Sequence, residues 1–271
     1  MENVRIIEKF TKSKSTDANA NEDGYLITEN YIAVIDGATS KTEMMTSGKT
    51  GGRILKDIIM DAIKELKGGE ESSSAICAIQ KVILEKASEE RIGHASASAI
   101  IYSIKKQEIW SIGDCQAYVG KKHYINAKEI DIILSQARTV AVRAYLEEGT
   151  TVQELLEHDK CRELILPFLK LQVAFENKKV PLGYCVFNNI TNGEVFPYEM
   201  ATVIPVTEPA EIVLASDGYP LLKTTLAESE EMLQRVLKED PLCYQIVPST
   251  KGIQKGNCSF DDRTYIRFQI N

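Results

Sequence analysis

The chain has 271 residues, of which 44% are hydrophobic and 26% are charged, a balance typical of soluble globular proteins. Its formal net charge of −7 argues against nucleic acid or an anionic membrane as the main partner. No apolar run approaches the roughly 20 residues of a membrane span, and the segment MENVRIIEKFTKSKST lacks the apolar stretch of a secretion signal. We therefore expect a cytoplasmic protein of one large domain or two small ones.

The spacing of the cysteines argues against several kinds of site. The six cysteines lie far apart and form no C-x-x-C pair, which argues against a zinc site or a redox pair. A chain of this size does not need disulfides for stability, and no export signal is present. We predict reduced thiols at all six positions, Cys77, Cys115, Cys161, Cys185, Cys243 and Cys258.

The first half of the chain alternates between strand and helix patterns. YLITENYIAVID predicts two strands joined by a tight turn at Glu29-Asn30. Apolar residues at three- and four-residue spacings predict a helix over 46–66, which the Gly68-Gly69 pair ends, and a second helix over 73–87. SASAIIYSIKKQEIWSIGDCQAYVG predicts two further strands around a polar turn, the second interrupted by Gly113-Asp114.

The second half begins with a helical, charged stretch from about 129 to 176 and then returns to strands. EVFPYEMATVIPV, EIVLASDG and RTYIRFQIN are read as strands, and AESEEMLQRVLKED as a helix of about a dozen residues. Neither a repeat nor a low-complexity linker divides the chain. The simplest interpretation is one β-rich α+β domain over 1–271, with helices on its faces and a helical insertion at about 130–176.

Acidic residues recur where the predicted strands end. Several carboxylates converging on one point are the usual ligands of hard cations such as Mg²⁺ and Mn²⁺, and adjacent glycines allow close approach of the backbone. Without a cation, such a cluster would repel itself. The five acidic sites are Glu22-Asp23, Asp36, Asp114, Asp217 and Asp261-Asp262.

An ordinary turn explains each of these sites separately. Asp-Gly at the end of a strand is a common turn signal, and several such pairs occur by chance in a β-rich chain. Spacing alone therefore leaves a metal site and a set of turns equally open.

The order of six segments adds a resemblance. NEDGYL, AVIDGATS, SASAIIYSI, WSIGDCQAYV, VLASDGYP and FDDRTYI follow one another over residues 21–268. This order resembles the signature segments of the PP2C (PPM) family of metal-dependent protein serine/threonine phosphatases, in the form of a divergent bacterial-type member. The resemblance implies a four-layer α-β-β-α sandwich of two antiparallel sheets flanked by helices.

The same resemblance implies roles for the acidic residues. Asp36 matches the carboxylate that bridges two metal ions, and the carbonyl of Gly37 would bind one of them. Asp217 and Asp261 would hold the other ion. Three further positions complete the implied metal site: Glu22 and Asp23 match the acidic pair that binds or orients metal waters, and Asp114 matches the ligand of a third, weaker ion in bacterial members.

The implied reaction is hydrolysis of phosphoserine or phosphothreonine in a protein substrate by a metal-activated water, with two Mg²⁺ or Mn²⁺ ions. Catalysis would act through Asp36, Asp217 and Asp261. Cys115 stands where the family has serine, and we read it as a packed thiol because no H-C-x₅-R pattern exists.

The sequence departs from the family pattern around the substrate. The histidine credited with assisting the leaving group is replaced by Ala38, and the phosphate-binding arginine falls on Ala18. The segment after Asp217 lacks its last acid. The remaining candidates for phosphate or substrate contacts are each more often surface residues: Lys12, Lys14, Thr39, Ser40, Lys41 and Arg53, with His94 as a substitute acid that is more simply a strand-edge histidine.

These departures leave three functions open. The first is a phosphoprotein phosphatase. The second is a regulatory or binding module that keeps the fold with little turnover, and the third is a phosphatase for a small phosphorylated metabolite enclosed by the insertion. We read Trp110 as core, and the insertion as a flap that helps set substrate choice, with solvated acids at Glu147, Glu148, Glu154, Glu157 and Asp159.

Overall fold

Two antiparallel sheets form the centre of the computed structural model, which describes residues 4–39, 48–90, 92–190 and 196–271. In chain order the strands are β1 (Val4–Lys12), β2 (Asp23–Ile27), β3 (Tyr31–Thr39), β4 (Ala95–Ser103), β5 (Glu108–Ile112), β6 (Gln116–Val119), β7 (Lys122–Ile125), β8 (Phe187–Asn188), β9 (Thr202–Pro205), β10 (Ala210–Ala215) and β11 (Arg263–Ile270). One sheet has the strand order β1-β11-β10-β6-β7, and the other β2-β3-β4-β5-β9, with β8 paired to β4.

Six helices complete the described structure. They are α1 (Gly51–Glu65), α2 (Ser72–Glu90), α3 (Glu129–Glu147), α4 (Val152–Glu157), α5 (Lys160–Leu171) and α6 (Leu226–Glu239). None of the helices among the described residues is long and apolar enough to cross a membrane.

Strand β3 shows why the sheets stack. Its residues alternate between two cores, since successive side chains of a strand point to opposite faces. Ile32 and Val34 pack between the sheets, against a cluster that includes Ile266 of β11. Ala33 and Ile35 face the other way, into a second core under α1 and α2. The unbroken apolar run of this strand is therefore explained by burial on both faces.

The outer layers confirm the predicted four-layer sandwich. Helices α1 and α2 cover the sheet that contains β3. Helix α6 contacts the other sheet near its start, where Leu226 packs against a cluster that includes Val213 and Tyr265. Its Glu230 pairs with Arg263 of β11. In the predicted insertion, α3 and α5 pack on each other through Ile130 and Ile165.

Several sequence predictions agree with the structure. The backbone N–H of Thr28 donates to the carbonyl of Tyr31 across the predicted turn, at 2.8 Å. Trp110 is fully buried, and Cys115 lies in the core between the sheets. All six cysteines fall within the described ranges and are free thiols.

Other predictions were wrong in extent. Among the described residues, the strand predicted over 194–206 is limited to Thr202–Pro205, because Tyr198–Met200 form a turn of 3₁₀ helix. Residues 194 and 195 lie outside the described ranges. The helix predicted from residue 46 begins at Gly51, after the side chain of Thr50 accepts a hydrogen bond from the N–H of Arg53 as its N-cap. Residues 46 and 47 lie outside the described ranges.

The insertion differs from the prediction at one acid. Asp159 was expected on a solvated surface, but its carboxylate accepts hydrogen bonds from the fully buried guanidinium of Arg138, at 2.7 Å and 3.2 Å. A buried arginine requires such a partner, since an unpaired charge in the interior is strongly disfavoured.

Candidate metal centre

The pairing of β2 with β3 places two acids side by side. In the antiparallel register Asp23 lies opposite Asp36, and Asp36 lies opposite Ser98 of β4. The next residue, Gly37, donates its N–H to the carbonyl of Glu22 at 3.1 Å. A Cβ at Gly37 would lie 2.3 Å from the carbonyl oxygen of Gly52, so glycine is required where β3 meets the start of α1.

The second sheet contributes a third acid. Asp217 lies two residues after the end of β10, close enough to Asp36 for that side chain to lower its pKa. The hydroxyl of its neighbour Ser216 lies close enough to Asp23 to lower the pKa of that carboxyl group, against the larger opposing effect of burial. The edge of the sandwich thus joins Asp23 and Asp36 of one sheet to Asp217 of the other.

These three carboxyl groups face one another with little compensation. Burial raises the pKa of Asp23 and Asp36 well above the usual range, and repulsion from neighbouring carboxylates adds to the effect. Burial, followed by repulsion from Asp114 and Asp261, raises the pKa of Asp217 to about 6. Asp217 stands at the exposed mouth of the site, where solvent screening limits the effect.

The donor chemistry fits a hard divalent cation. Asp23 is 3% exposed, and its Oδ2 has no hydrogen-bond partner in the described structure. An orphaned, buried carboxylate oxygen beside two further carboxyl groups is the environment that Mg²⁺ or Mn²⁺ would stabilise. Among the described residues no three acidic, histidine or cysteine side chains already surround a single point as a complete metal-binding group.

Asp261 lies nearby but is paired with lysines. Its Oδ1 accepts from Nζ of Lys14 at 2.8 Å, and its Oδ2 accepts from Nζ of Lys251. Burial alone would raise the pKa of Asp261, but the two ammonium groups hold it well below the usual range. Lys14 was among the residues predicted from the sequence, whereas Lys251 was not, because a single lysine in a loop carries no local signal.

The remaining predicted ligands also have partners. Asp114 pairs with Nζ of Lys128 at 2.8 Å and accepts from the hydroxyl of Ser98. Although burial alone would raise the pKa of Asp114, Lys128 lowers it below the usual range. Glu22 accepts from the hydroxyl of Thr50. Lys128 was also missed by the sequence analysis.

The carboxylate next to Asp261 has a structural role. Asp262 is 3% exposed, and its oxygens accept the backbone N–H groups of Lys14, at 2.8 Å, and Glu22, at 3.0 Å. It therefore ties the segment after β1 and the segment before β2 to the start of β11.

The structure separates the candidates for substrate contacts. Lys14 lies at the site, whereas Lys12 lies close enough to Glu230 to lower its pKa. Arg53 lies in the first turn of α1, and its Nε is buried without a partner among the described residues. Ser40, Lys41 and the side chain of Thr39 lie outside the described part of the chain.

His94 belongs to another polar cluster. Its Nε2 lies 3.0 Å from a carboxylate oxygen of Glu176, which also accepts from the amide of Asn188 at 2.8 Å. This position agrees with the simpler prediction of a histidine at the start of a strand, one residue before β4.

A cleft of about 230 Å³ opens beside the acids. Asp114 and Asp217 line it together with Lys128, Ile132 and Ser135 of the insertion region. The predicted flap thus forms a wall of the cleft that leads to Asp217.

Comparison with known proteins supports the fold. No family profile matches the chain, and no curated protein sequence matches it. Among solved structures, the catalytic domain of the serine/threonine protein phosphatase PstP in complex with two manganese ions aligns with a TM-score of 0.52 and 15% identity, over 99% of this chain and 98% of that one. The serine/threonine phosphatase Stp1 from Staphylococcus aureus aligns with a TM-score of 0.51 and 15% identity, over 99% and 94%.

The structure of PstP/Ppp from Mycobacterium tuberculosis gives the same result, with a TM-score of 0.50 and 16% identity over 99% of both chains. The predicted PP2C-type sandwich is confirmed at the level of the fold. At this sequence identity the likeness says nothing residue by residue, so the site and its chemistry depend on the geometry described above.

Proposed function

We propose that this protein is a metal-dependent phosphatase that hydrolyses phosphoserine or phosphothreonine in protein substrates. The observation that carries the proposal is the meeting of Asp23, Asp36 and Asp217 from two sheets, with a buried carboxylate oxygen that lacks a partner. The phosphatase fold of the structural neighbours makes this reaction the first expectation for such a site.

Asp23, Asp36 and Asp217 would hold a divalent cation, with the carbonyl of Gly37 and the carboxylate of Glu22 close by. When bound there, the cation supplies a water of lowered pKa and neutralises charge on the phosphoryl oxygens. The all-oxygen donor set suits both Mg²⁺ and Mn²⁺. The roles of Asp114 and Asp261 as further ligands stay predictions.

The chain's own cations would orient the phosphate. The ammonium group of Lys14 donates to Asp261 at 2.8 Å and lies 3.6 Å from a carboxylate oxygen of Asp262, so at least one of its three N–H donors would be left for a phosphoryl oxygen. Its side chain is 28% exposed, so a substrate can reach it. Lys14 thereby offers a positive charge at a site where the family arginine is replaced by Ala18.

Because Ala38 stands where the family has a histidine that assists the leaving group, we expect a slower rate of hydrolysis. Loss of a general acid commonly costs about 10²–10⁴ in rate. An aryl phosphate, whose leaving group needs less protonation, should be less affected than a phosphoserine. The regulatory module with little turnover and the metabolite phosphatase remain the alternatives that the experiment below separates.

The cleft beside Asp217 is open and partly walled by the insertion, which suits an extended phosphopeptide. A phosphorylated protein in the cytoplasm is the proposed partner. A protein is proposed rather than nucleic acid, since a net charge of −7 disfavours binding to a polyanion.

The direct test measures phosphate release from p-nitrophenyl phosphate, phosphopeptides and a panel of small phosphorylated metabolites, with Mn²⁺ and with EDTA. We expect Mn²⁺-dependent turnover of phosphopeptides that falls at least 100-fold in Asp36→Asn and Asp217→Asn. Asp57→Asn is the matched control, because Asp57 is partly exposed and its ion pairs among the described residues are with Lys49 and Lys56, neither of which is a candidate site residue.

Phosphate release that is unchanged by EDTA or by Asp36→Asn would contradict the proposal. Tight phosphopeptide binding without turnover would favour the regulatory module instead. Turnover of metabolites alone would favour the small-molecule enzyme.

A further inference from the structure

The acids at the centre fall into two groups according to what faces them. Asp23, Asp36 and Asp217 form no ion pair with any residue in the described ranges, and Asp23 keeps an orphaned oxygen. Asp261, in contrast, has an ammonium group on each of its two oxygens. Asp261 is therefore already neutralised by two ammonium groups, whereas Asp23, Asp36 and Asp217 have no such positive charge paired with them among the described residues.

The backbone around Lys14 is held in place. Its N–H donates to Asp262 at 2.8 Å, and its carbonyl accepts from the N–H of Cys258 at 2.7 Å. The side chain is partly buried, and its ammonium group pairs with Asp261. The fold itself directs this ammonium group to Asp261.

Lys251 is held from the opposite side. The carbonyl of the preceding residue, Thr250, accepts from Arg162 of α5 at 2.6 Å. A Cβ on the following residue, Gly252, would lie 2.8 Å from the carbonyl oxygen of Pro241, so the chain is closely packed here. Two separate segments thus converge on one carboxylate.

A divalent cation at Asp261 would have to compete with both ammonium groups. Their charges repel it, and they occupy the lone pairs that it would use. We infer that Lys14 and Lys251 hold Asp261 in place of a second cation, so that the centre binds one divalent cation tightly, at Asp23, Asp36 and Asp217. This inference rests on the proposed function, and it replaces the two-ion arrangement that the resemblance implies.

The same logic applies to Asp114. Nζ of Lys128 lies 2.8 Å from the carboxylate of Asp114, and each of the two side chains is 17% exposed. A third ion at Asp114 would meet the same competition.

The experiment counts bound ions in the full-length, metal-free protein by equilibrium dialysis against MnCl₂, with elemental analysis and calorimetry. The parent should bind one Mn²⁺ tightly. The double variant Lys14→Met/Lys251→Met should bind two, with at least a tenfold gain in affinity at the second site. Methionine keeps the length of the side chain and removes the charge.

Two controls make the count specific. Lys14→Arg/Lys251→Arg keeps both charges and should still bind one ion. Lys81→Met removes an exposed lysine of α2 and should leave the count at one. Circular dichroism checks the folding of each variant, and the single variant Lys251→Met, which should gain a weaker second site, serves if the double variant does not fold.

Two ions bound with similar affinity by the parent would overturn the inference and leave the proposed function intact. A count that stays at one in both Lys→Met variants would also overturn it. Failure of the parent to bind any ion would instead contradict the proposed function, and the inference with it.

Discussion

The side chain of Asp36 is strongly affected by its surroundings. Burial and then repulsion from Asp23, Asp217 and other carboxylates raise its pKa well above the usual range. A carboxyl with a raised pKa in the folded state stabilises the fold at low pH, and this stabilisation is lost as the pH rises through the folded pKa. Without a cation, the charged site therefore weakens the fold near neutral pH.

We predict that Asp36→Asn stabilises the metal-free protein at pH 7 and has little effect near pH 4.5, because asparagine resembles the protonated acid. The melting temperature should rise by at least about 2 °C at pH 7, as about 1 kcal/mol corresponds to about 2–4 °C in a domain of this size. Thermal unfolding in EDTA across this pH range measures the difference.

Asp217, whose pKa is raised to about 6 by burial and by repulsion from Asp114 and Asp261, titrates in the same range, so the difference between parent and variant reports on these two neighbouring carboxyl groups together. Asp261 stays charged over this range, because Lys251 and Lys14 hold its pKa low. An equal stabilisation at both pH values, or a destabilisation at pH 7, would contradict the charge argument.

Residue types could be predicted from the sequence better than residue partners. The acids at strand ends can be recognised in the sequence, and the structure pairs Asp23 with Asp36 and places Asp217 near them, while their role as metal ligands stays a prediction. Lys251 and Lys128, which pair with Asp261 and Asp114, could not be predicted as their partners, because both lysines belong to segments whose path depends on tertiary packing.

At the scale of elements, the insertion is fixed by one buried arginine. Arg138 of α3 is fully buried and donates to Asp159 at the start of α5, and its Nη1 donates to the carbonyl of Leu242 at 2.7 Å. It thereby joins two helices of the insertion to the loop after α6. This loop continues to Lys251, which links the insertion to the acidic centre.

We predict that Arg138→Met lowers the free energy of unfolding by about 3–5 kcal/mol, because Asp159 and two carbonyl groups lose a buried donor. Arg143→Met, on the same helix but exposed, should change it by less than about 0.5 kcal/mol. Urea denaturation of both variants measures the difference. Similar, small effects for the two would show that Arg138 does not hold the insertion.

Elements were predicted where their apolar pattern is strong. Helices α1, α2 and α6 follow from three- and four-residue spacings, and β3 from its apolar run. Strand β1 was missed, because VRIIEKFTK mixes apolar and charged residues and is fixed by pairing with β11, more than 250 residues away. Strand β9 was predicted too long, since the segment before it contains Pro197 and a short 3₁₀ helix.

At the scale of the whole molecule, the centre joins the two sheets. Asp23 and Asp36 belong to one sheet and Asp217 follows a strand of the other, so a bound cation would cross-link the sandwich. Such a meeting across nearly 200 residues cannot be read from local patterns. It was anticipated only through the order of motifs that resembles the PP2C family, and the fold confirms the architecture that this resemblance implies.

We predict that Mn²⁺ stabilises the whole protein through this cross-link. A ligand at about 100 times its dissociation constant contributes about 2.7 kcal/mol to stability. Urea unfolding with and without Mn²⁺ should show this gain in the parent and in Asp57→Asn, and lose most of it in Asp36→Asn and Asp217→Asn. A gain that persists in the last two variants would place the ion elsewhere.

The most direct measurement is anomalous diffraction at the manganese edge from crystals grown with MnCl₂. The account predicts a strong peak at about 2.0–2.3 Å from carboxylate oxygens of Asp36 and Asp217. An empty centre under these conditions, or a peak bound only by other residues, would contradict it.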